Sequence, residues 1–154
     1  GIDLKSMKVA WTLPLQSGEY VSSIEINGNT MVATSTAGLR IYDLSSGVAK
    51  APNMTYSSLQ GLSTFAAEWL PSRNVLVTVT GEGGYYATFT KVTLLDMATL
   101  TPKWTGTAGL CYNVKTIVQW NQIVLDCASG VSRMNLTDGS HILPNLFAFA
   151  QSEL

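Results

Sequence analysis

The chain has 154 residues, enough for one domain with its own hydrophobic core. Hydrophobic residues make up 46% of it and charged residues 12%, which excludes a disordered chain, since disorder needs low hydrophobicity and high net charge. The net charge is −1 with scattered basic residues, and no run of about 18 apolar residues occurs, so we expect no nucleic acid and no membrane among the partners.

Short apolar runs separated by polar breaks begin near residue 20. Runs at 21–26 and 31–34 flank the Asn-Gly-Asn sequence at 27–29, and Asn-Gly supplies the positive φ angles of a tight hairpin. A third run ends at Asp43, whose carboxylate can accept hydrogen bonds from the backbone of the following turn. Short strands of this composition, punctuated by Gly, Asn and Ser, are typical of antiparallel sheets.

The same order of features returns further along the chain. Residues 11–47 align with residues 104–139 at an offset of 93 residues, which becomes 92 after one deletion. The matched pairs are Trp11 with Trp104, Val21 with Val114, Ile24 with Ile117, Gly38 with Gly130, Leu44 with Leu136 and Gly47 with Gly139. A third, looser copy lies between them and ends its third run at Asp96, where the last copy has Asn135.

These repeats predict strands within residues 20–45, 64–97 and 113–136, with matched turns at Gly38 and Gly130. The sequence Gly-Leu-Arg-Ile-Tyr-Asp at 38–43 resembles the β-propeller repeat families, both WD-repeat and quinoprotein-like, although the paired Trp-Asp of WD repeats is absent. The resemblance implies an all-β fold of about three propeller-type antiparallel blades. We expect a single domain over 1–154 with units at approximately 8–47, 48–103 and 104–142 and an apolar tail at 143–154.

A second plan fits part of the chain. Residues 57–70 carry an apolar stripe with a period of about 3.6 that stops at Pro71, and residues 143–154 allow a second helix with Pro144 in its first turn. The alternative is therefore an α+β chain of two units, each with several antiparallel strands and one helix, similar to tandem polo boxes.

No set of residues in the sequence predicts catalysis, a cofactor or a metal site. The single histidine, His141, lies in an expected loop without partners at a metal-binding spacing, and the Gly-Glu-Gly-Gly sequence at 81–84 lacks the Lys-Ser/Thr of a phosphate-binding loop. Asp43 and Asp96 are explained as caps of turns. Cys111 and Cys127 lie in apolar runs and are interpreted as buried free thiols.

Exposed aromatic residues are the candidate partner-binding positions, because large rings with a polar atom are frequent at interfaces. The candidates are Tyr85, Tyr86, Phe147 and Phe149, whereas Trp11 and Trp104 are interpreted as structural residues of the repeat.

We predict a non-enzymatic protein-protein interaction module or assembly scaffold. Its partner would be another protein or further blades of the same protein, since propellers generally use 4–8 blades, and a homo-oligomer also fits. The alternative is part of a propeller enzyme or ligand-binding lectin whose site is shared with missing blades. The lack of a signal-peptide pattern and the two cysteines favour an intracellular location.

Overall fold

The computed structural model describes residues 2–3, 5–6, 8–15, 17–35, 38–50, 62–82 and 88–143. Residues 1–60 form one compact unit and residues 61–154 a second. Within each sheet, every strand pairs antiparallel with the strand next to it in sequence. The described residues contain no helix long and apolar enough to cross a bilayer.

The first unit contains a hairpin and a three-stranded sheet. The hairpin joins β1 (Ile2–Asp3) to β2 (Lys8–Val9). The first sheet consists of β3 (Val21–Asn27), β4 (Thr30–Ser35) and β5 (Gly38–Asp43). Gly28 has a φ of 54°, as the predicted Asn-Gly turn between β3 and β4 requires.

The second unit contains two four-stranded sheets. The second sheet consists of β6 (Leu62–Leu70), β7 (Val75–Glu82), β8 (Phe89–Asp96) and β9 (Pro102–Gly109). The third sheet consists of β10 (Cys111–Ile117), β11 (Gln122–Cys127), β12 (Gly130–Asn135) and β13 (His141–Leu143). A 3-10 turn joins the first two strands of each sheet and ends on an asparagine in the left-handed region, Asn74 or Asn121.

The core of the second unit lies between these two sheets. One face of the second sheet packs against one face of the third, so that alternate residues of each strand are buried together. The buried residues of this core are Ala66, Leu70, Val75, Val77, Val79, Val92, Leu94, Ala108, Cys111, Ile123, Leu125, Cys127, Met134 and Leu136.

The predicted all-β class is confirmed, and strands occupy the three predicted regions. The helix expected at 57–70 is wrong where the structure describes it, because residues 62–70 form β6. Ala66 and Ala67 are both buried although they point to opposite faces, so this strand needs apolar residues on both sides and loses the usual alternation. The helix expected at 143–154 lies outside the described residues, apart from Leu143 in β13.

The strand register confirms most of the repeat and corrects one part of it. Gly38 and Gly130 both start a third strand, with φ of 133° and 113°. Ser35 and Cys127 occupy matching positions, because each pairs with the glycine that starts the third strand. Ser35 also pairs with Val21 in the first sheet, whereas Cys127 pairs with Cys111 in the third. The alignment of Val21 with Val114 and of Ile24 with Ile117 is therefore wrong, because the turn after β10 is longer than the turn after β3.

Candidate functional site

The two faces of the first sheet differ in the exposure of the edge strand β3. On one face Val32, Leu39 and Ile41 are at most 8% exposed. On the other face the residues of β4 and β5 are buried as well, but Ile24 and Ile26 of β3, an edge strand, are 55% and 57% exposed, although both are large apolar residues in the middle of a strand. Side chains of this kind are normally buried when they alternate with polar residues along a strand, so this face is an unusual surface.

The segment 11–15 covers part of the same face. The Trp11 indole Nε1–H donates to the Leu44 carbonyl oxygen at 2.9 Å, and Arg40 Nη1 donates to the Pro14 carbonyl oxygen at 3.0 Å. These contacts hold the segment beside β5, away from β3. Met31 of β4, on the same face, is only 4% exposed.

An apolar groove of about 580 Å³ remains open beside this segment. Most of its lining is apolar: aliphatic side chains together with Trp11 and Met31. Its lining consists of Val9, Trp11, Thr12, Leu13, Leu15, Glu19, Val21, Ile24, Ile26, Met31, Ala33, Ser35, Arg40 and Leu44. Its volume lies within the range of about 300–1,000 Å³ that is typical of ligand-binding clefts.

A buried ion pair lines one part of the apolar groove. Glu19 Oε2 accepts a hydrogen bond from Arg40 Nη2 at 2.6 Å, and Glu19 Oε1 accepts one from the Ser35 hydroxyl at 2.6 Å. All three residues are buried, and Arg40 reaches Pro14 with its second nitrogen. The ion pair therefore ties the segment before β3 to β4 and β5 and fixes the shape of the apolar groove.

Trp11 and Trp104 have the same structural role, as the sequence predicted. Trp104 Nε1–H donates to the Leu136 carbonyl oxygen at 3.1 Å, matching the bond of Trp11 to Leu44. Each ring lies against a glycine in the left-handed region, Gly47 at φ 71° or Gly139 at φ 72°. A Cβ added to Gly47 would lie 2.7 Å from the Trp11 ring, so both backbone and space require glycine there.

We expect Gly47→Ala to lower the free energy of unfolding by about 2–4 kcal/mol, since it combines a strained backbone with overpacking against Trp11. Gly28→Ala is the matched control in the same unit: its φ is 54°, but a Cβ there meets nothing within 4 Å. It should cost only the backbone strain, about 1–2 kcal/mol. Urea denaturation of both variants measures the difference, and equal losses would contradict the packing contribution of Trp11.

The predicted turn caps are present in all three sheets. Asp43 Oδ1 accepts hydrogen bonds from the Ser45 and Ser46 backbone N–H groups, and Asp96 Oδ1 accepts them from Ala98 and Thr99. Hydrogen bonds from the Ser45 side chain and then the Ser46 backbone hold the pKa of Asp43 far below its ordinary value. The Ala98 backbone bond, followed by Lys103, lowers the pKa of Asp96. In the third sheet a neutral residue, Asn135, accepts the bond from Thr137.

The Asp43 cap predicts a specific dependence of stability on pH. Because its folded pKa is depressed, its ionised form stabilises the fold above the ordinary value of 3.8, and this contribution is lost as the pH falls further. Asp43→Asn should therefore unfold at a melting temperature that falls less between pH 5 and pH 2.5 than that of the parent. The melting temperature of the reciprocal variant Asn135→Asp should fall more steeply over the same pH range. Identical dependence of the melting temperature on pH in all three proteins would contradict a contribution of these caps to acid sensitivity.

The sequence-predicted partner residues Tyr85, Tyr86, Phe147 and Phe149 lie outside the described residues. His141 was expected in a loop, but it lies in β13, where its Nε2 contacts the Thr107 carbonyl oxygen at 2.9 Å. Strand pairing between β12 and the residues after the Asp138 turn extends the sheet to this position. Among the described residues no three His, Cys, Asp or Glu side chains come together as a metal site.

The free-thiol interpretation of the cysteines is wrong. Cys111 and Cys127 face each other across β10 and β11 and form a disulfide, with both side chains in the core.

The apolar groove was not among the sequence-predicted sites. The pattern Val-Ser-Ser-Ile-Glu-Ile at 21–26 indicates a half-buried strand, so Ile24 and Ile26 are expected to be inside. Only the structure shows that their side of the sheet is left partly uncovered.

Comparison with solved structures identifies the architecture. The chain is similar to Sqt1 of Saccharomyces cerevisiae, with a TM-score of 0.62 and 12% identity over 80% of this chain and 34% of that one. It is similar to the WD40 domain of Neurospora crassa Pan2, with a TM-score of 0.59 and 14% identity over 93% of this chain and 46% of that one. The chain is built from β-propeller blades. The first, second and third sheets are its first, second and third blades.

An enzyme structure shares the propeller fold. An oligogalacturonate lyase in complex with manganese superimposes with a TM-score of 0.60 and 15% identity over 91% of this chain and 39% of the lyase. At this level of identity the likeness concerns the propeller fold alone. This chain spans less than half the length of each of these structures. No protein-family model and no curated protein matches its sequence.

Proposed function

We propose that this chain is a non-enzymatic protein-protein interaction module or assembly scaffold, and that the apolar groove of its first blade is the docking surface. The observation that supports this most is the exposure of Ile24 and Ile26 on β3, an edge strand of the first sheet. Grouped exposed apolar side chains mark interaction sites, and the cores of interfaces are more apolar than the rest of a protein surface.

The surrounding contacts support a rigid docking surface. Trp11 and Arg40 are held by hydrogen bonds to backbone carbonyl oxygens, so one wall of the apolar groove is fixed before a partner arrives. Preorganised walls lose little conformational entropy on binding. Burial of Ile24 and Ile26 would then stabilise a complex through the hydrophobic effect, at about 25 cal/mol per Å² of apolar surface removed from water.

The test is a pair of charged substitutions in the apolar groove. Because Ile24 and Ile26 are more than half exposed, Ile24→Asp with Ile26→Asp should leave the stability of the isolated chain within about 1 kcal/mol. The same variant should reduce capture of partner proteins from a cell extract, quantified by mass spectrometry, at least about tenfold.

Val48→Asp is the matched control. Val48 is 63% exposed in the same unit and does not line the apolar groove. It should capture the same proteins as the parent. If the two variants capture equally, the apolar groove is not the docking surface.

The lyase similarity supports a second candidate, a part of a propeller enzyme or ligand-binding lectin whose site is completed by blades outside this chain. The discriminating measurement is the melting temperature with Mn²⁺ and oligogalacturonate, added separately and together. Binding to the folded state raises the melting temperature by mass action. A rise in the melting temperature supports the enzyme or lectin candidate over the interaction module.

A further inference from the structure

Strand β3 is a free edge of the first sheet. The sheet runs in the order β3, β4, β5, and among the described strands none pairs with the other side of β3. None of its residues is buried, and the strand contains no lysine and no proline, which commonly protect an edge strand from pairing. A bulge at Ser22 leaves residues 23–27 in regular pairing with β4. This edge can therefore accept a further strand.

The turn between β3 and β4 decides which backbone groups of β3 point outward. Asn27 pairs with Thr30 across a two-residue turn, and a turn of this kind closes on a hydrogen-bonded pair. Bonded and non-bonded pairs alternate along an antiparallel ladder. Counted back from the turn, Ile26 and Ile24 are in the non-bonded positions. Their backbone N–H and C=O groups therefore point away from β4, toward the free edge.

The same two residues present their side chains to the apolar groove. Ile24 and Ile26 line it, and both are more than half exposed. A strand that bonds to their backbone places the residues directly opposite them on the same face of the sheet, beside the apolar groove. The residue between these two lies opposite Glu25 on the other face, where lysine or arginine forms a cross-strand pair of opposite charge. The occupant that fits has the pattern apolar, basic, apolar.

Other occupants satisfy this edge less well. A helix in the apolar groove would cover Ile24 and Ile26 without bonding to their outward backbone groups, and burial of such groups without partners costs free energy. A second copy of β3 could pair antiparallel through both isoleucines only in the register that sets Glu25 of one copy opposite Glu25 of the other. Like charges directly opposite each other destabilise a sheet. The edge therefore favours an extended segment of a different protein.

We propose that β3 binds an extended segment of a partner protein as an added antiparallel strand, which bonds to the backbone of Ile24 and Ile26 and directs its apolar side chains into the apolar groove. Backbone hydrogen bonds hold the segment, and the apolar groove selects its alternate side chains. The proposal rests on the proposed function, because it specifies the kind of protein segment that docks in the apolar groove.

The probe is a capped synthetic peptide, acetyl-Thr-Thr-Val-Lys-Val-Thr-Thr-amide, added in millimolar excess to the full chain. Its two valines should lie opposite Ile24 and Ile26 and its lysine opposite Glu25. In the chain alone, the amide hydrogens of Ile24 and Ile26 should exchange with water much faster than that of Glu25, because only Glu25 bonds to β4. With the peptide bound, exchange at both isoleucines should slow at least about tenfold, as measured by nuclear magnetic resonance.

Two N-methylated peptides are the matched controls. Methyl groups on the nitrogens of both valines remove the donors that face β3, so this peptide should protect neither amide. Methyl groups on the nitrogens of the lysine and of the threonine after the second valine lie on the outer side, so this peptide should protect both amides. Equal protection by the two methylated peptides, or none by the unmodified peptide, overturns the proposal. So does a chain that sediments as a dimer and becomes monomeric on Ile24→Asp, since a second copy then occupies the edge.

The two proposals fail in different ways. If the peptide protects neither isoleucine amide but Ile24→Asp with Ile26→Asp still abolishes capture, the partner docks through side chains alone and only the proposed function stands. If neither measurement responds, the apolar groove is not an interface and both proposals are wrong.

Discussion

Removal of the Glu19 carboxylate should lower the free energy of unfolding by about 3–5 kcal/mol, because Glu19→Ala leaves the Arg40 guanidinium buried without its counter-charge. The Glu19 and Arg40 side chains are 2% and 9% exposed, so water replaces the lost partner poorly. Arg40 also holds Pro14, and its displacement should open the wall of the apolar groove. Urea denaturation followed by circular dichroism measures the loss.

An exposed ion pair of the same unit provides the control. Lys50 Nζ lies 3.9 Å from Asp43 Oδ2, and the Lys50 side chain is 39% exposed. Lys50→Ala should change stability by no more than about 1 kcal/mol. The double variant Glu19→Ala with Arg40→Ala should lose less than the sum of its single variants, since no uncompensated charge remains. A loss below about 1 kcal/mol for Glu19→Ala alone would contradict the buried ion pair.

Reduction of the Cys111–Cys127 disulfide should destabilise the second unit by about 3 kcal/mol, the value expected for a closed loop of roughly 15 residues. The bond joins residues 16 apart in sequence and lies between β10 and β11 in the core. For a chain of this size, the melting temperature should fall by roughly 6–12 °C on addition of a phosphine reductant.

The variant Cys111→Ala with Cys127→Ala is the control, because reductant has nothing to break in it. Its melting temperature should be the same with and without reductant. Two titratable thiols in the untreated, denatured chain, together with a melting temperature that reductant leaves unchanged, would show that the cysteines are not paired.

The fold was predictable because the residues that define each blade carry steric requirements that are visible in sequence. A tryptophan that packs on a left-handed glycine leaves a Trp and a Gly at nearly the same spacing in each copy, 36 residues from Trp11 to Gly47 and 35 from Trp104 to Gly139, and Trp11 and Trp104 revealed the repeat in this way. The register of β3 was not predictable from the same alignment. Turn length varies between blades, and the alignment placed the extra residues of the turn at 118–121 in the wrong element.

The spacing of the two cysteines indicates the disulfide, but the apolar residues around them led to the interpretation as buried free thiols. Cys111 and Cys127 lie equally far from Gln119, in the turn of the predicted hairpin, so a regular hairpin brings them opposite each other. The apolar groove left no comparable signal. Ile24 alternates with polar neighbours as a buried residue would, and its exposure depends on what covers the sheet rather than on the strand itself.

The position of Trp104 has a consequence for how such chains can change in number of units during evolution. Trp104 belongs to the last strand of the second blade, yet its ring and its indole N–H contact the turn of the third blade at Gly139 and Leu136. A gene duplication that begins at this tryptophan therefore carries the closing strand of one blade with the body of the next. A chain that gains or loses such a segment keeps the contact between the tryptophan and the glycine turn on which it packs.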